Sequence, residues 1–376
     1  MFFCSSKSMK RSLKIGILGT RGIPNRYGGF EQCAEYLALG LVAKGHRVWV
    51  YNSKHHEYKD SEWNGVNIIH CADPENVLGT AGQFLYDLNC LNDAHKRNFD
   101  VLLQLGYTSN SLWHMRWPKS CKHIVNMDGL EWKRSKYSKP VQWFLRHAEK
   151  WAAKHGDVLI ADSIGIQEYL KEKYNKESHF IAYGSDIFES PSETVLQSYG
   201  YEPYSYHMLI ARMEPENNIE LIIKGYLQSG DKKPLLIIVK TENAFGTYLL
   251  NKYGNQPGVT FLGGIYDLAI INNLRYYSHL YFHGHSVGGT NPSLLEAMGS
   301  SALIAAHNNV FNKAVLGKDA FYFSTEDEIA DIIKTQTDKQ ASQTFIMHNL
   351  EKIRTQYNWA RIVNMYEDVM LDAASL

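Results

Sequence analysis

Three segments place glycine, charge and a following helix in an order that suits anion chemistry. The first is Gly19-Thr20-Arg21-Gly22-Ile23-Pro24-Asn25-Arg26-Tyr27-Gly28-Gly29-Phe30-Glu31. The apolar run Leu13–Gly19 leads into it, and helical spacing at Phe30, Ala34, Leu37 and Leu41 follows it. Glycines let backbone N–H groups approach an anion closely, and a helix N-terminus adds partial positive charge. The layout suits phosphate binding or, equally, a tight strand-to-helix turn. Its spacing is not that of a nicotinamide fingerprint. The second segment, Ala211–Glu220, begins Ala211-Arg212-Met213-Glu214 at a strand end. Arg212 there offers either a bidentate fork to phosphate or a surface pairing with Glu214 or Glu216. The third is His283-Gly284-His285-Ser286-Val287-Gly288-Gly289-Thr290-Asn291-Pro292, running on into Ser293–Met298. Its small residues can hold a sugar or a phosphate. Pro292 suits a first helical turn, and Glu296, about one turn in, can accept from sugar hydroxyls.

Two further patterns carry charge. Asp128 and Glu131 follow the strand-like Lys122–Met127 and fit acid/base work or, for Asp128, helix capping. Between Arg116 and Lys154 there are ten Lys/Arg against three Asp/Glu, with Trp117, Trp132, Trp143 and Trp151 interleaved. That mixture suits the headgroup level of an anionic membrane, or a solvated helix face over core tryptophans. His283 and His285 have no third metal ligand near them in sequence, so no metal is expected.

These residues need elements to position them. Strand-like runs at Leu13–Gly19, Arg47–Tyr51, Asp100–Leu105, Lys122–Met127 and Asp157–Ala161 alternate with helical stretches at Gly28–Lys44, Thr80–Arg97, Pro140–His155 and Ser163–Tyr174. This is the signature of a doubly wound parallel sheet. A short strand at His179–Ala182 precedes the aperiodic stretch Glu189–Tyr206. The alternation then restarts, with strands at His207–Ala211, Leu235–Val239, Val259–Leu262, His279–Phe282 and Ala302–Ala305. The expected division is residues 1–185, a linker over 186–206, a second domain over 207–355, and a final helix over 356–376 that returns to the first domain. Two such α/β domains place a cleft between the carboxyl ends of two parallel sheets.

Composition agrees. The 376 residues exceed one ordinary core. With 39 Lys/Arg against 39 Asp/Glu the chain is no nucleic-acid binder by charge. Five cysteines at wide spacing argue against a disulfide framework and for a reducing compartment. No run has the roughly 18–20 apolar residues of a membrane-spanning helix, so a cytoplasmic protein is expected, with contact at the inner face of the plasma membrane. Met1–Ser12 is basic without an apolar stretch and reads as a short disordered lead, with Met9 as an alternative start.

The second and third segments together resemble the retaining glycosyltransferases of family 4, whose signatures are an Arg with a Lys five positions on, and two Glu eight positions apart ending in L-L-E-A-M. The block G-T-R-G-I-P-x-x-Y-G-G-F-E resembles a branch that includes bacterial rhamnosyltransferases. The resemblance implies the GT-B fold, two Rossmann-like domains facing across a cleft. It implies that Gly28 and Gly29 touch the donor diphosphate, Arg212 pairs with it, Glu296 holds the ribose, Gly289, Thr290 and Asn291 face the transferred sugar or its phosphate, and Gly263, Ile265 and Tyr266 lie near the base. Asp128 falls beside the reacting sugar, with Tyr27, Glu31 and Glu131 toward the acceptor. Two positions depart from the pattern: Asn217 stands where the Lys is expected and Gly288 where the first Glu is expected. Lys240 is the candidate to restore the missing positive charge.

The implied reaction moves a hexosyl group, rhamnose from dTDP-rhamnose being favoured, from a nucleotide-sugar to a lipid-linked or other saccharide acceptor. The nucleotide-sugar is a substrate and no cofactor is expected. A nucleotide-sugar epimerase and a non-catalytic nucleotide- or glycan-binding partner are the alternatives.

Overall fold

The computed structural model describes residues 11–134, 137–335 and 339–375. The basic lead before Arg11, with Met9, lies outside the described residues.

Fourteen strands among the described residues form two sheets. The first contains β1 (Lys14–Leu18), β2 (Arg47–Ser53), β3 (Glu62–Trp63), β4 (Val66–Cys71), β5 (Val101–Leu105), β6 (Lys122–Asn126), β7 (Val158–Ala161) and β8 (His179–Phe180). Their order is β3-β4-β2-β1-β5-β6-β7-β8, parallel except where β3 pairs with β4. The second contains β9 (His207–Ile210), β10 (Leu235–Ile238), β11 (Val259–Gly263), β12 (Leu280–His283), β13 (Ile304–His307) and β14 (Phe321–Phe323). It is wholly parallel in the order β11-β10-β9-β12-β13-β14. Central strands such as β5 and β10 are buried at every residue. Parallel strands covered by helices on both faces need such continuous apolar sequence.

In both sheets the strand order reverses beside the first strand, between β1 and β5 and between β9 and β12. Crevices outside the carboxyl ends of strands open at such switch points. The loops after β1, β6, β9 and β12 carry the residues singled out above, so the topology delivers them to that end of each sheet.

Three strands were not expected: β3, β4 and β14. The short helix Thr194–Gln197 also interrupts the stretch read as aperiodic. The helix after β9 starts only at Ile219, because Pro215–Asn217 forms a 3-10 turn and Asn218 adopts a left-handed φ of 51°.

The last helix, Trp359–Ser375, packs on the first helix, Gly29–Ala43. Trp359 stacks on Tyr36 with ring centroids 4.4 Å apart. A Cβ at Gly40 would sit 2.6 Å from Val363, so the two helices approach closely because residue 40 is glycine. Buried Glu367 accepts from Lys44 Nζ at 2.9 Å and meets His46 Nε2 at 3.1 Å. Ile362, Tyr366 and Met370 are all at most 1% exposed, and each such side chain contributes about 1.5–3 kcal/mol on burial.

Candidate functional site

The loop after β1 is held from several sides. A Cβ at Gly19 (φ 94°) would lie 2.2 Å from the Leu105 carbonyl oxygen. Asn52 brackets Ile23, accepting from its N–H at 3.1 Å and donating to its carbonyl at 2.7 Å. Asn25 Oδ1 accepts from the N–H groups of Tyr27 and Gly28. Arg21 makes a two-pronged pair with Glu75 (3.0 and 2.6 Å), and its guanidinium lies 4.0 Å from the centre of the Tyr27 ring. The loop therefore presents Gly28 and Gly29 at the start of the first helix. Gly28 is the N-cap and, having no side chain, makes no cap hydrogen bond, while the acidic Glu31 stands in the first turn. The helix end at Gly28 and Gly29 carries the N–H groups and dipole that suit an anion.

Across the cleft, Arg212 follows β9. It is exposed and forms no ion pair with a described residue. Glu216 lies 3.8 Å from Arg134 Nη1, an N-terminal-domain residue, rather than pairing with Arg212. Asn217 donates to the Arg212 carbonyl at 2.7 Å. Asn218 donates to the Gly284 carbonyl at 2.8 Å, and Ser286 donates to the Glu216 carbonyl. A Cβ at Gly284 would lie 2.1 Å from the Asn217 carbonyl oxygen. Asn217, standing in place of a Lys, thus ties the β9 loop to itself, while Asn218 and Ser286 lock the β9 and β12 loops together.

His283 and His285 stack with centroids 4.4 Å apart. Both His283 ring nitrogens and His285 Nδ1 are buried without partners among the described residues. Burial pushes both rings toward the neutral form, and for His285, held to about 3, the charges of Arg212 and Arg134 add to it. No group of three His, Cys, Asp or Glu among the described residues is placed to hold a metal ion.

Asp128 follows β6 and is half-buried. Burial and the neighbouring Glu131 raise its carboxyl to about 7 against the opposing pull of Arg134 and Arg212. It caps no helix, since the N-cap of the adjacent 3-10 turn is Leu130. A Cβ at the next residue, Gly129, would be 3.7 Å from Gly288 Cα, so the two domains meet here backbone to backbone.

Glu296 links three elements. It accepts from Arg275 Nη2 at 2.6 Å and from Gln32 of the first helix at 3.0 Å. Arg275 is 1% exposed, an unusual depth for a guanidinium without such a partner. At the outer rim, Lys240 Nζ lies 4.9 Å from the centre of the exposed Tyr266 ring. Tyr266 follows Gly263 (φ 75°) and half-buried Ile265.

Four of the residues singled out in the sequence also hold the scaffold. Glu31 is 4% exposed and accepts from the Arg21 N–H at 2.9 Å, holding the loop. Glu131 is paired to Arg134 at 2.7 Å. The Thr290 hydroxyl donates to the Asp162 carbonyl across the domain seam. Asn291 caps the helix Pro292–Gly299 by accepting from the Ser293 N–H at 2.9 Å. Arg275, Gln32, Arg134 and Asp162 escaped the sequence reading. Asp162, directly before the Ser163 N-cap, had only its place after a buried strand to mark it.

Residues 12–186 match a family described as a domain of unknown function, DUF1972. No curated protein matches the chain by sequence. Among solved structures, a sucrose-phosphate synthase from Thermosynechococcus elongatus superposes with a TM-score of 0.78 at 15% identity, covering 95% of this chain and 98% of its own. The fold is GT-B. HepE of Anabaena, solved in complex with UDP-glucose, gives 0.74 at 16% identity over 97% of this chain and 100% of its own. An α,α-trehalose 6-phosphate synthase from Burkholderia multivorans gives 0.71 at 11% identity, over 97% and 99%. At these identities the likeness shows the architecture, two parallel-sheet domains facing each other.

Proposed function

We propose that the chain is a retaining glycosyltransferase that moves a hexosyl group from a nucleotide-sugar to a saccharide acceptor carried on a lipid. The carrying observation is one positive feature in each domain: the helix N-terminus at Gly28–Gly29, whose N-cap has no side chain, and the exposed guanidinium of Arg212, which forms no ion pair with a described residue. Two positive features from two domains suit a diphosphate leaving group. Neighbours with this fold support the reading, HepE having been solved with UDP-glucose. In the reaction, the bond from the anomeric carbon to the diphosphate oxygen breaks. The bond to the acceptor oxygen forms on the same face, and the acceptor's proton passes to the departing phosphate. The protein's part is positioning and stabilisation of the developing charge, by Arg212, the first helix's N-terminus and Lys240 at the rim. Glu296, fixed by Arg275, is the ribose ligand. L-Rhamnose from dTDP-rhamnose is the favoured donor, on the N-terminal block and on Gly288, where no side chain takes up the space of a hydroxyl-binding carboxylate.

The acceptor's lipid places the protein at a membrane surface. Among the described residues no helix is long and apolar enough to cross a membrane. Helix Lys139–His155 instead exposes Lys139, Trp143, Arg146, Lys150 and Lys154 along one face. Trp143 is 62% exposed, and Met115, on the turn whose His114 stacks on Trp151 and His155, is 85% exposed. Trp117, by contrast, is buried, and Trp132 and Trp151 are half-buried. Apolar tips among cations fit an anionic leaflet.

The test is a donor screen with UDP-, GDP- and dTDP-sugars, with and without membrane lipid extract, followed by nucleoside diphosphate release. Lipid-stimulated release from dTDP-rhamnose is expected, reduced about 10²–10³-fold by Arg212→Ala. Release from another donor alone overturns the rhamnose assignment. Donor conversion without acceptor indicates an epimerase, and no binding or release indicates a non-catalytic partner.

A further inference from the structure

Asp162 directly follows β7 in the first domain and is 2% exposed. Its Oδ1 has no hydrogen-bond partner among the described residues. A buried carboxylate oxygen left unpaired is costly and calls for a physical reason. Facing it from the second domain is the Gly288–Gly289 loop. A Cβ at Gly289 would lie 1.8 Å from Asp162 Oδ1, so the loop reaches this depth because residue 289 is glycine. The Thr290 hydroxyl bonds the Asp162 carbonyl and sets the loop's register against the strand end. At Gly288 (φ 126°) a Cβ would meet nothing within 4 Å, so the loop is open at that residue.

The charges sort the ligand. Asp128 and Asp162 feel each other, and burial with this like charge raises the Asp162 carboxyl well above the ordinary range. A low-dielectric setting that disfavours even the Asp162 charge disfavours a diphosphate more, and the diphosphate belongs with Arg212 and the first helix. A neutral sugar hydroxyl is the chemistry that fits an unpaired carboxyl oxygen held toward its neutral form in this place, since that oxygen still accepts a hydrogen bond.

We propose that Asp162 accepts a hydrogen bond from a hydroxyl of the transferred sugar, and that it does so only when the two domains are together. This rests on the glycosyltransferase reading. The carboxylate absent at position 288 is then supplied from the opposite domain, so sugar recognition and domain closure are one event.

The experiment is calorimetric titration of the full chain with dTDP and with dTDP-rhamnose, or with the donor that the screen selects and its diphosphate. Wild type, Asp162→Asn and Asp162→Ala are compared. The expected result is unchanged diphosphate affinity, which also reports intact folding. Affinity for the nucleotide-sugar should fall about 10–100-fold in Asp162→Ala and less in Asp162→Asn, which keeps an acceptor. A donor lacking the contacted hydroxyl should bind wild type and Asp162→Ala alike. Equal losses for diphosphate and sugar nucleotide make Asp162 structural and overturn the proposal, as does no loss for either. Tight sugar-nucleotide binding with the expected losses but no transfer to lipid upholds Asp162 and overturns the transferase reading instead.

Discussion

At the scale of the residue, Asp128 offers a measurable consequence. Its carboxyl is raised from an ordinary 3.8 to about 7 by burial and Glu131. Between those values the folded chain keeps a proton that the unfolded chain has released. The group's contribution to stability is therefore full below about 3.8, falls as pH rises, and is lost above about 7. An Asp128→Asn variant has no titrating group at this position. Scanning calorimetry of that variant against wild type should show a melting-temperature difference that grows in the variant's favour from about pH 5 to about pH 8. A difference that stays flat with pH would place Asp128 in an ordinary polar setting. Asp128, Arg212 and Glu296 were legible in the sequence because each stands just past a buried strand or one turn into a helix at the same sheet end. Arg275 was not, since an arginine on an amphipathic helix reads as solvated until a buried carboxylate is known to meet it. Asp162 was hidden beside a serine that reads as a helix cap.

At the scale of the element, the alternation was legible because strands buried on both faces must be continuous apolar runs. The missed strands lack that mark. β3 has two residues, one of them exposed, β4 carries polar Asn67 and His70, and β14 has three residues, two of them half-buried. The loop after β1 was legible as glycine-rich, but not the reason for each glycine. Gly19 and Gly45 share a positive φ (94° and 90°), yet only Gly19 has backbone within 2.2 Å of a Cβ, while Gly45 has nothing within 4 Å. Gly19→Ala should cost about 2–4 kcal/mol in urea unfolding, and Gly45→Ala about 1 kcal/mol. Equal costs would show that β1 and the Leu105 carbonyl can move apart freely.

At the scale of the whole molecule, the basic, Trp-bearing face of helix Lys139–His155 sets a third expectation. Sedimentation with vesicles containing anionic lipid should capture the wild type. Capture should fall several-fold in Trp143→Ala and further in a Lys150→Glu, Lys154→Glu double variant, and about 0.5 M salt should weaken binding, as screening requires. Equal capture by neutral vesicles would assign the face to something other than a charged leaflet. The sequence carried the charge count but not which tryptophan is presented, because that depends on how the helix is rolled against Phe84 and His114.

The return of the last helix to the first domain also governs motion. The chain passes between domains once near Ser185 and again near Tyr357, and the Ser185 N–H bonds the Tyr357 carbonyl at 2.7 Å. The two crossings are thus pinned side by side, with Trp359 lying against Gly184 on one side of the pin. A body joined by one flexible linker tumbles, whereas two adjacent pins leave little more than a swing about a shared axis. Each opening therefore returns the halves along the same arc, and little orientational search separates the open molecule from the assembled one.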